Sequence, residues 1–267
     1  MGQVTEIVRD YATHASTVHT ARVAMGYPIE KAWENAVNRR AGTDLANIGY
    51  PISECRFRET DAAAGWGGAR NRAGRMSDGI KLAHCLNLIT AARYAAAAGL
   101  TLNRHVTIHW DKAGIPDGRA AWATGRLLKL ASDWTAKGGG TVAHLWCREN
   151  GGGKGSHVHI LLHVAAGREP WRMMRGWLGS ITRAPYRAGT IETNRVGGTA
   201  NAWRATPEHY LHNLAATVAY IIKGASPAAA AALSLERIER GGTIIGKRCG
   251  TSQNIGRSAR RGAGWGA

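Results

Sequence analysis

"TVAHLWCRENGGGKGSHVHILLHV", residues 141–164, holds two strand-like runs joined by a glycine turn, and its reading decides the fold. In the second run Val158, Ile160, Leu162 and Val164 alternate with His157, His159, Leu161 and His163. Side chains on a strand alternate faces, so the uniformly apolar set marks the core side. The histidine set is then expected on an exposed face. The intervening glycines predict an antiparallel hairpin. They do not make a phosphate-cradling loop, which needs G-x-x-x-x-G-K-[ST] between a strand and a helix. Here Lys154 is followed by Gly155, and the loop runs into a strand.

The hairpin sits inside a regular succession of elements. "RHVTIHW" (104–110) alternates like a strand. Residues 118–140 place Trp122, Leu127, Leu130, Ala131 and Trp134 at helical spacing and stop in glycines. After the hairpin come a helix at 169–181, a weaker strand at 189–196 and a helix at 206–224. That last helix has Thr206 as N-cap, Pro207 at its first position, Glu208 in its first turn and Gly224 at its end. The order β-α-β-β-α-β-α predicts an α+β, ferredoxin-like split βαβ antiparallel sheet with its helices on one face. Upstream, 78–98 reads as a helix closed by Gly99, 51–77 as a linker, and 1–50 as helical. The expected division is therefore a helical extension with linker over 1–77, the main domain over 78–230 and a basic flexible tail over 231–267.

Charge limits the partner. Lys and Arg number 35 against 18 Asp and Glu, a net charge of +17. Residues 1–50 hold five basic and five acidic residues, so the whole excess lies beyond them. Such a balance implies a polyanionic partner, most simply nucleic acid. No apolar run approaches the roughly 20 residues that cross a bilayer, so no membrane partner is expected. The first residues lack the basic and apolar regions of a signal peptide. Four scattered cysteines without a CxxC pair argue against a zinc ribbon or a disulfide framework and fit a reducing cytoplasm.

The chemistry-bearing residues fall on two elements. His157 and His159 stand about 7 Å apart along one strand face, close enough to converge on one divalent ion. Glu149, at the end of the partner strand, is the candidate third ligand. Two imidazoles and a carboxylate leave coordination positions open for substrate oxygens. On the last helix His209, Asn213, Ala216, Tyr220 and Lys223 form one stripe, while Leu211, Leu214, Val218 and Ile222 form the packing side. A tyrosine and a lysine one turn apart suit nucleophilic chemistry. Tyr210 lies on the packing side.

The "HVTIHW" strand, the "HVH" strand paired with one ending in glutamate, and the later "YIIK" (Y-x-x-K) helix resemble the three motifs of HUH endonucleases. Their order is that of rolling-circle replication initiators with a single catalytic tyrosine, and the resemblance covers roughly residues 101–225. It implies His157, His159 and Glu149 as ligands of Mg²⁺ or Mn²⁺, Tyr220 as nucleophile and Lys223 as its partner. The implied reaction nicks single-stranded or hairpin origin DNA of a plasmid, phage or mobile element. It leaves a 5′-phosphotyrosine link and a free 3′-OH. Lys154, Arg148, Arg104, Lys247 and Arg248 are candidate DNA contacts. No Walker A motif is present, so a host helicase and polymerase would be partners. Two other readings stand beside this one. A basic nucleic-acid-binding protein without catalysis would share the charge, and a histidine-triad nucleotide hydrolase would share part of the histidine run. The triad pattern, however, wants a histidine where Leu161 stands.

Overall fold

The computed structural model describes residues 74–165, 167–197 and 206–265. Its elements begin with β1 (Met76–Ser77), α1 (Leu82–Ala97), β2 (Arg104–His109) and α2 (Asp117–Lys137). The hairpin strands β3 (His144–Gly151) and β4 (Gly155–Leu162) follow, then α3 (Trp171–Thr182) and β5 (Ile191–Arg195). The chain continues through α4 (Pro207–Ile221), α5 (Pro227–Ala232), β6 (Ile244–Ile245), β7 (Cys249–Thr251) and α6 (Arg257–Gly262). The N-terminal extension expected over 1–77 lies outside the described residues apart from 74–77, where the expected linker already pairs as β1 with β6.

The hairpin turns where its glycines allow it. Gly155 has φ +61°, and a Cβ there would lie 2.7 Å from the Asp111 side chain. Both the left-handed backbone and the close approach exclude a side chain. The main sheet is antiparallel throughout, in the order β5-β2-β4-β3-β7. α2 joins β2 to β3 across the position of β4, and α3 joins β4 to β5 across that of β2. The fold class is α+β.

Two cores line the two faces of this sheet. Val106, Ile108 and Trp110 of β2 and its exit, with Val158, Ile160 and Leu162 of β4, bury against α2 and α3. Leu127 and Ala131 of α2 and Met174, Trp177 and Leu178 of α3 close that layer. Full burial of each such aliphatic side chain contributes about 1.5–3 kcal/mol. On the opposite face Leu145, Cys147 and Leu161 pack against α1, α4 and α5. α1 presents Cys85, Leu88, Ala91, Ala92, Ala95 and Ala96 at helical spacing, and its alanines let α4 approach closely. The helices therefore cover both faces, not one. The strand pattern misled because the histidine face also carries Leu161, Leu145 and Cys147, enough apolar surface to seat a second helical layer.

The expected flexible tail is also corrected. β7 adds the fifth strand beside β3, with Cys147 opposite Cys249. Arg260 is buried and donates to the Ile255 carbonyl at 2.6 Å and to Asn87 Oδ1 at 2.7 Å. Arg248 is buried and donates to the carbonyls of Ser77 and, at 2.6 Å, Gly242. Arginines in a glycine-rich stretch look solvated in a sequence, but these are tied to carbonyl oxygens. α4 begins at Pro207 as expected, although Thr206 makes no side-chain cap and the helix ends at Ile221, before Gly224.

A candidate metal centre beneath the tyrosine helix

Register across the sheet assembles the site. His157 of β4 pairs with His109 of β2 on one side and Glu149 of β3 on the other. One pair further on, His159 lies between Thr107 and Cys147. Because all of these residues share a strand face, the hairpin brings Glu149, His157 and His159 together. Their ligand atoms lie within 4.8 Å of one another, and the three residues could hold a metal ion. The expectation that the histidines are exposed is wrong: His157 and His159 are 4% and 3% exposed, with Tyr220 of α4 packed on His159 and His109 stacked on His157.

Hydrogen bonding orients each imidazole. His157 Nδ1 lies 2.8 Å from the Gly155 carbonyl oxygen. That nitrogen must carry the proton, which leaves Nε2 with its lone pair 3.3 Å from Glu149 Oε2. His159 Nδ1 is 3.0 Å from Thr107 Oγ1 and 3.2 Å from His105 Nε2. His159 Nε2 is buried with no hydrogen-bond partner and lies 3.6 Å from Glu149 Oε2. Glu149 Oε1 is likewise buried and unpartnered. Imidazole lone pairs facing a carboxylate need a cation between them, so the donor set fits a divalent ion with two nitrogens and one oxygen. Second contacts that fix each ring, such as Gly155 to His157 and Thr107 to His159, are typical of metal-ligating histidines.

Lys223 supplies one positive charge. It is buried, its Nζ donates to Glu149 Oε2, and Glu239 lies 3.6 Å from it on the outer side. Burial pushes the Glu149 carboxyl up, but its close contacts with His157 and His159 and with the Lys223 ammonium outweigh burial. The carboxyl is held well below the usual range. The imidazoles move in the protective direction: burial, aided by His159 and Lys223, pushes His105 down to about 4. Burial also lowers His159 against the pull of Glu149. Both rings stay neutral at neutral pH and keep their lone pairs.

Tyr220 closes the site from α4. Its ring centroid is 5.2 Å from that of His159 and 5.9 Å from that of His105. Lys223 Nζ sits 4.6 Å from the ring centroid, and the Arg237 guanidinium 5.0 Å. Thr107, His109, Lys154, His157, His159 and Tyr220 line an open cleft of about 160 Å³. The phenol, the imidazoles and a lysine thus face one small polar space. Tyr210, by contrast, is buried in the apolar core beside α1, and burial raises its phenol far above the ordinary value.

Of the five candidate DNA contacts, Lys154 stands exposed at the cleft mouth. Lys247 is exposed but rests over the Trp146 ring at 5.4 Å. The other three are structural. Arg148 is fully buried, pairs with Asp117 and donates to the Ile245 carbonyl at 2.9 Å. Arg104 is buried and pairs with Glu169 at 3.1 Å, and Arg248 is spent on carbonyls. His163 donates to Thr101 O at 2.8 Å and, with Leu161 in the core between it and His159, takes no part in the centre. Sequence reasoning left His105 and Thr107 without a role, though their alternation with Val106 already put them on the histidine face. Arg237 and Glu239 gave no signal among the tail's other charges.

No protein-family model, curated protein or solved structure matches this chain. Among the described residues no helix is long and apolar enough to cross a membrane.

Proposed function

We propose that the chain is a metal-dependent nickase and ligase of single-stranded DNA, of the HUH endonuclease type used by rolling-circle replication initiators. The observation that carries this reading is the placement of Tyr220 over His159, beside Lys223 and at the cleft of the His-Glu triad. The strand order β5-β2-β4-β3 supports it, being the order of a ferredoxin-like split βαβ sheet, the fold such enzymes use. The +17 charge supports a polyanionic substrate.

Glu149, His157 and His159 would hold the ion, Mg²⁺ or Mn²⁺, with the imidazoles favouring Mn²⁺. Once bound, the ion supplies Lewis-acid polarisation of a phosphate oxygen. The chain's own groups do the rest. Lys154, at the cleft mouth, attracts the strand's phosphates. The Tyr220 phenol oxygen attacks phosphorus, a Tyr–O–P bond forms, and the bond from phosphorus to the 3′ oxygen breaks. The phenolic proton passes to solvent, and the leaving 3′ oxygen takes a proton to become a hydroxyl. Lys223, 4.6 Å from the Tyr220 ring centroid, sets a positive charge beside the attacked phosphate. One phosphoester replaces another, so the step can run backwards and rejoin the strand. The free 3′-OH can prime synthesis by a host polymerase behind a host helicase, on a plasmid, phage or other mobile element.

The test is a denaturing gel of the protein with end-labelled single-stranded oligonucleotides and Mn²⁺. A covalent adduct is expected from the parent protein and from Tyr210→Phe, but not from Tyr220→Phe. An adduct that survives Tyr220→Phe would move the nucleophile elsewhere, and no adduct on any substrate would overturn the nickase reading.

A further inference from the structure

A second cleft, of about 370 Å³, opens on the other side of the sheet, between α2 and the C-terminal end of α3. Its lining holds Arg119, Arg126 and Arg183 and no carboxylate. Of the acids nearest in sequence, Asp111 is exposed on the turn after β2, beside Gly155 and outside this lining, and the next two are paired elsewhere. Asp117 binds Arg148, Ser156 and the Ile245 N–H, and Asp133 pairs with Lys129. Trp122, 52% exposed, stands in the same lining, with the Arg119 guanidinium 5.0 Å from its ring centroid. Arg119, Trp122 and Arg126 are spaced by three and four residues, so they form one stripe along α2. Opposite them Arg183 ends α3 with φ 55°, a conformation that non-glycine residues rarely adopt. A glycine would fit that cap more easily, yet it is an arginine that turns into the cleft.

The geometry points to a second nucleotide-binding subsite here, which takes a flanking stretch of single-stranded DNA. Three guanidiniums suit phosphates, and an exposed indole suits the face of an unpaired base. A duplex would hide its base faces from Trp122, so a single strand is the better occupant. The subsite is also close enough to serve the first cleft. Lys112 lines the metal cleft and Gly114 lines this one. Two residues of chain span at most about 7 Å between their Cα atoms. The short turn after β2, held by Gly114 N to Asp111 O at 2.9 Å and Ile115 N to Trp110 O at 2.9 Å, thus separates the two clefts. A strand leaving the tyrosine cleft over this turn meets Trp122 and its arginines. The choice of DNA rests on the nickase reading; the phosphate-and-base chemistry of the cleft does not.

The experiment is equilibrium binding of a fluorescein-labelled dT20 strand by anisotropy over a salt series, with the full chain carrying Tyr220→Phe to prevent cleavage. Adding Trp122→Ala should weaken binding roughly tenfold, the ordinary effect of losing one base–aromatic stack. Trp122→Phe should recover most of it. Replacing Arg119, Arg126 and Arg183 together by Gln should lower the log–log salt slope by about 2, since each single-strand phosphate contact contributes about 0.7. Met173→Ala, an exposed apolar residue on α3 outside the cleft, should bind like the parent. If Trp122→Ala binds within twofold of the parent, the subsite is wrong. It is equally wrong if the arginine change weakens binding and Trp122→Ala does not, which would mark a general anion patch. The two proposals fail separately. Trp122-dependent binding without any Tyr220 adduct sinks the nickase alone, and a Tyr220 adduct with Trp122-independent binding sinks this subsite alone.

Discussion

The two faces of the central sheet are built from the same strands and are chemically opposite. On the α2–α3 face, Val106, Ile108, Val158, Ile160 and Leu162 make a dry, apolar layer. One residue out of step, His105, Thr107, His109, His157, His159 and Glu149 bring seldom-buried polar groups to the side of the sheet on which α4 packs. An apolar layer tolerates small changes because its contacts are many and individually weak. A buried polar layer does not, because each charge depends on one or two named partners. Apolar packing on both sides secures the fold, and part of that stability is spent on holding the polar half of the second face in a reactive arrangement.

The largest test breaks a partner on the polar face. Glu149→Gln leaves the buried Lys223 ammonium with only the part-exposed Glu239, 3.6 Å away, as counter-charge and should cost up to about 3–5 kcal/mol in urea unfolding. Adding Lys223→Met to that variant should restore most of the loss, because neither charge then remains buried. A double variant no more stable than Glu149→Gln alone would show that the pair is not coupled.

Acid should act on the same face. Unfolded His105 titrates near 6.5 and folded His105 near 4. As pH falls through that window the unfolded chain takes a proton that the folded chain refuses, so stability is lost. For His105 the loss amounts to up to about 3 kcal/mol by pH 4. The Glu149 contribution behaves otherwise: its carboxyl is depressed, so its stability is retained above the ordinary carboxylate range and is lost only in stronger acid. His105→Gln should flatten the decline between pH 6.5 and 4 in urea-unfolding series. An unchanged slope would place the acid sensitivity elsewhere.

The apolar face should respond weakly. Ile160→Val removes one methylene from a filled layer and should cost about 0.5–1.5 kcal/mol. It should leave Mn²⁺ binding as in the parent, although residue 160 directly follows a ligand. Weakened metal binding in this variant would mean that the two faces are not independent.

Much of this division was legible in the alternation of residues 156–164 and in the paired run ending at Glu149. Strand periodicity fixes which side chains share a face, and hairpin register fixes which residues lie opposite, so the triad follows from local rules. What covers a face does not follow from them. The histidine side looked exposed because imidazoles usually are, and the apolar half of that side was overlooked beside them. The fate of the arginines was similarly hidden. Arg148 and Arg248 read as DNA contacts because charge is visible in a sequence and carbonyl partners are not. The tail joined the sheet through three residues, Cys249–Thr251, a strand too short to give a periodicity signal. Helical spacing separates Tyr220, which packs on His159, from Tyr210, which the same rule sends to the core.

The central claim is that the buried polar face is a metal centre built by Glu149, His157 and His159. Titration of Mn²⁺ followed by electron paramagnetic resonance measures it without reference to DNA or catalysis. The parent protein should bind one ion, and His157→Ala and His159→Ala should each lose it while their far-ultraviolet circular dichroism remains that of the parent. A folded His157→Ala or His159→Ala variant that still binds one Mn²⁺ as tightly as the parent would contradict the account.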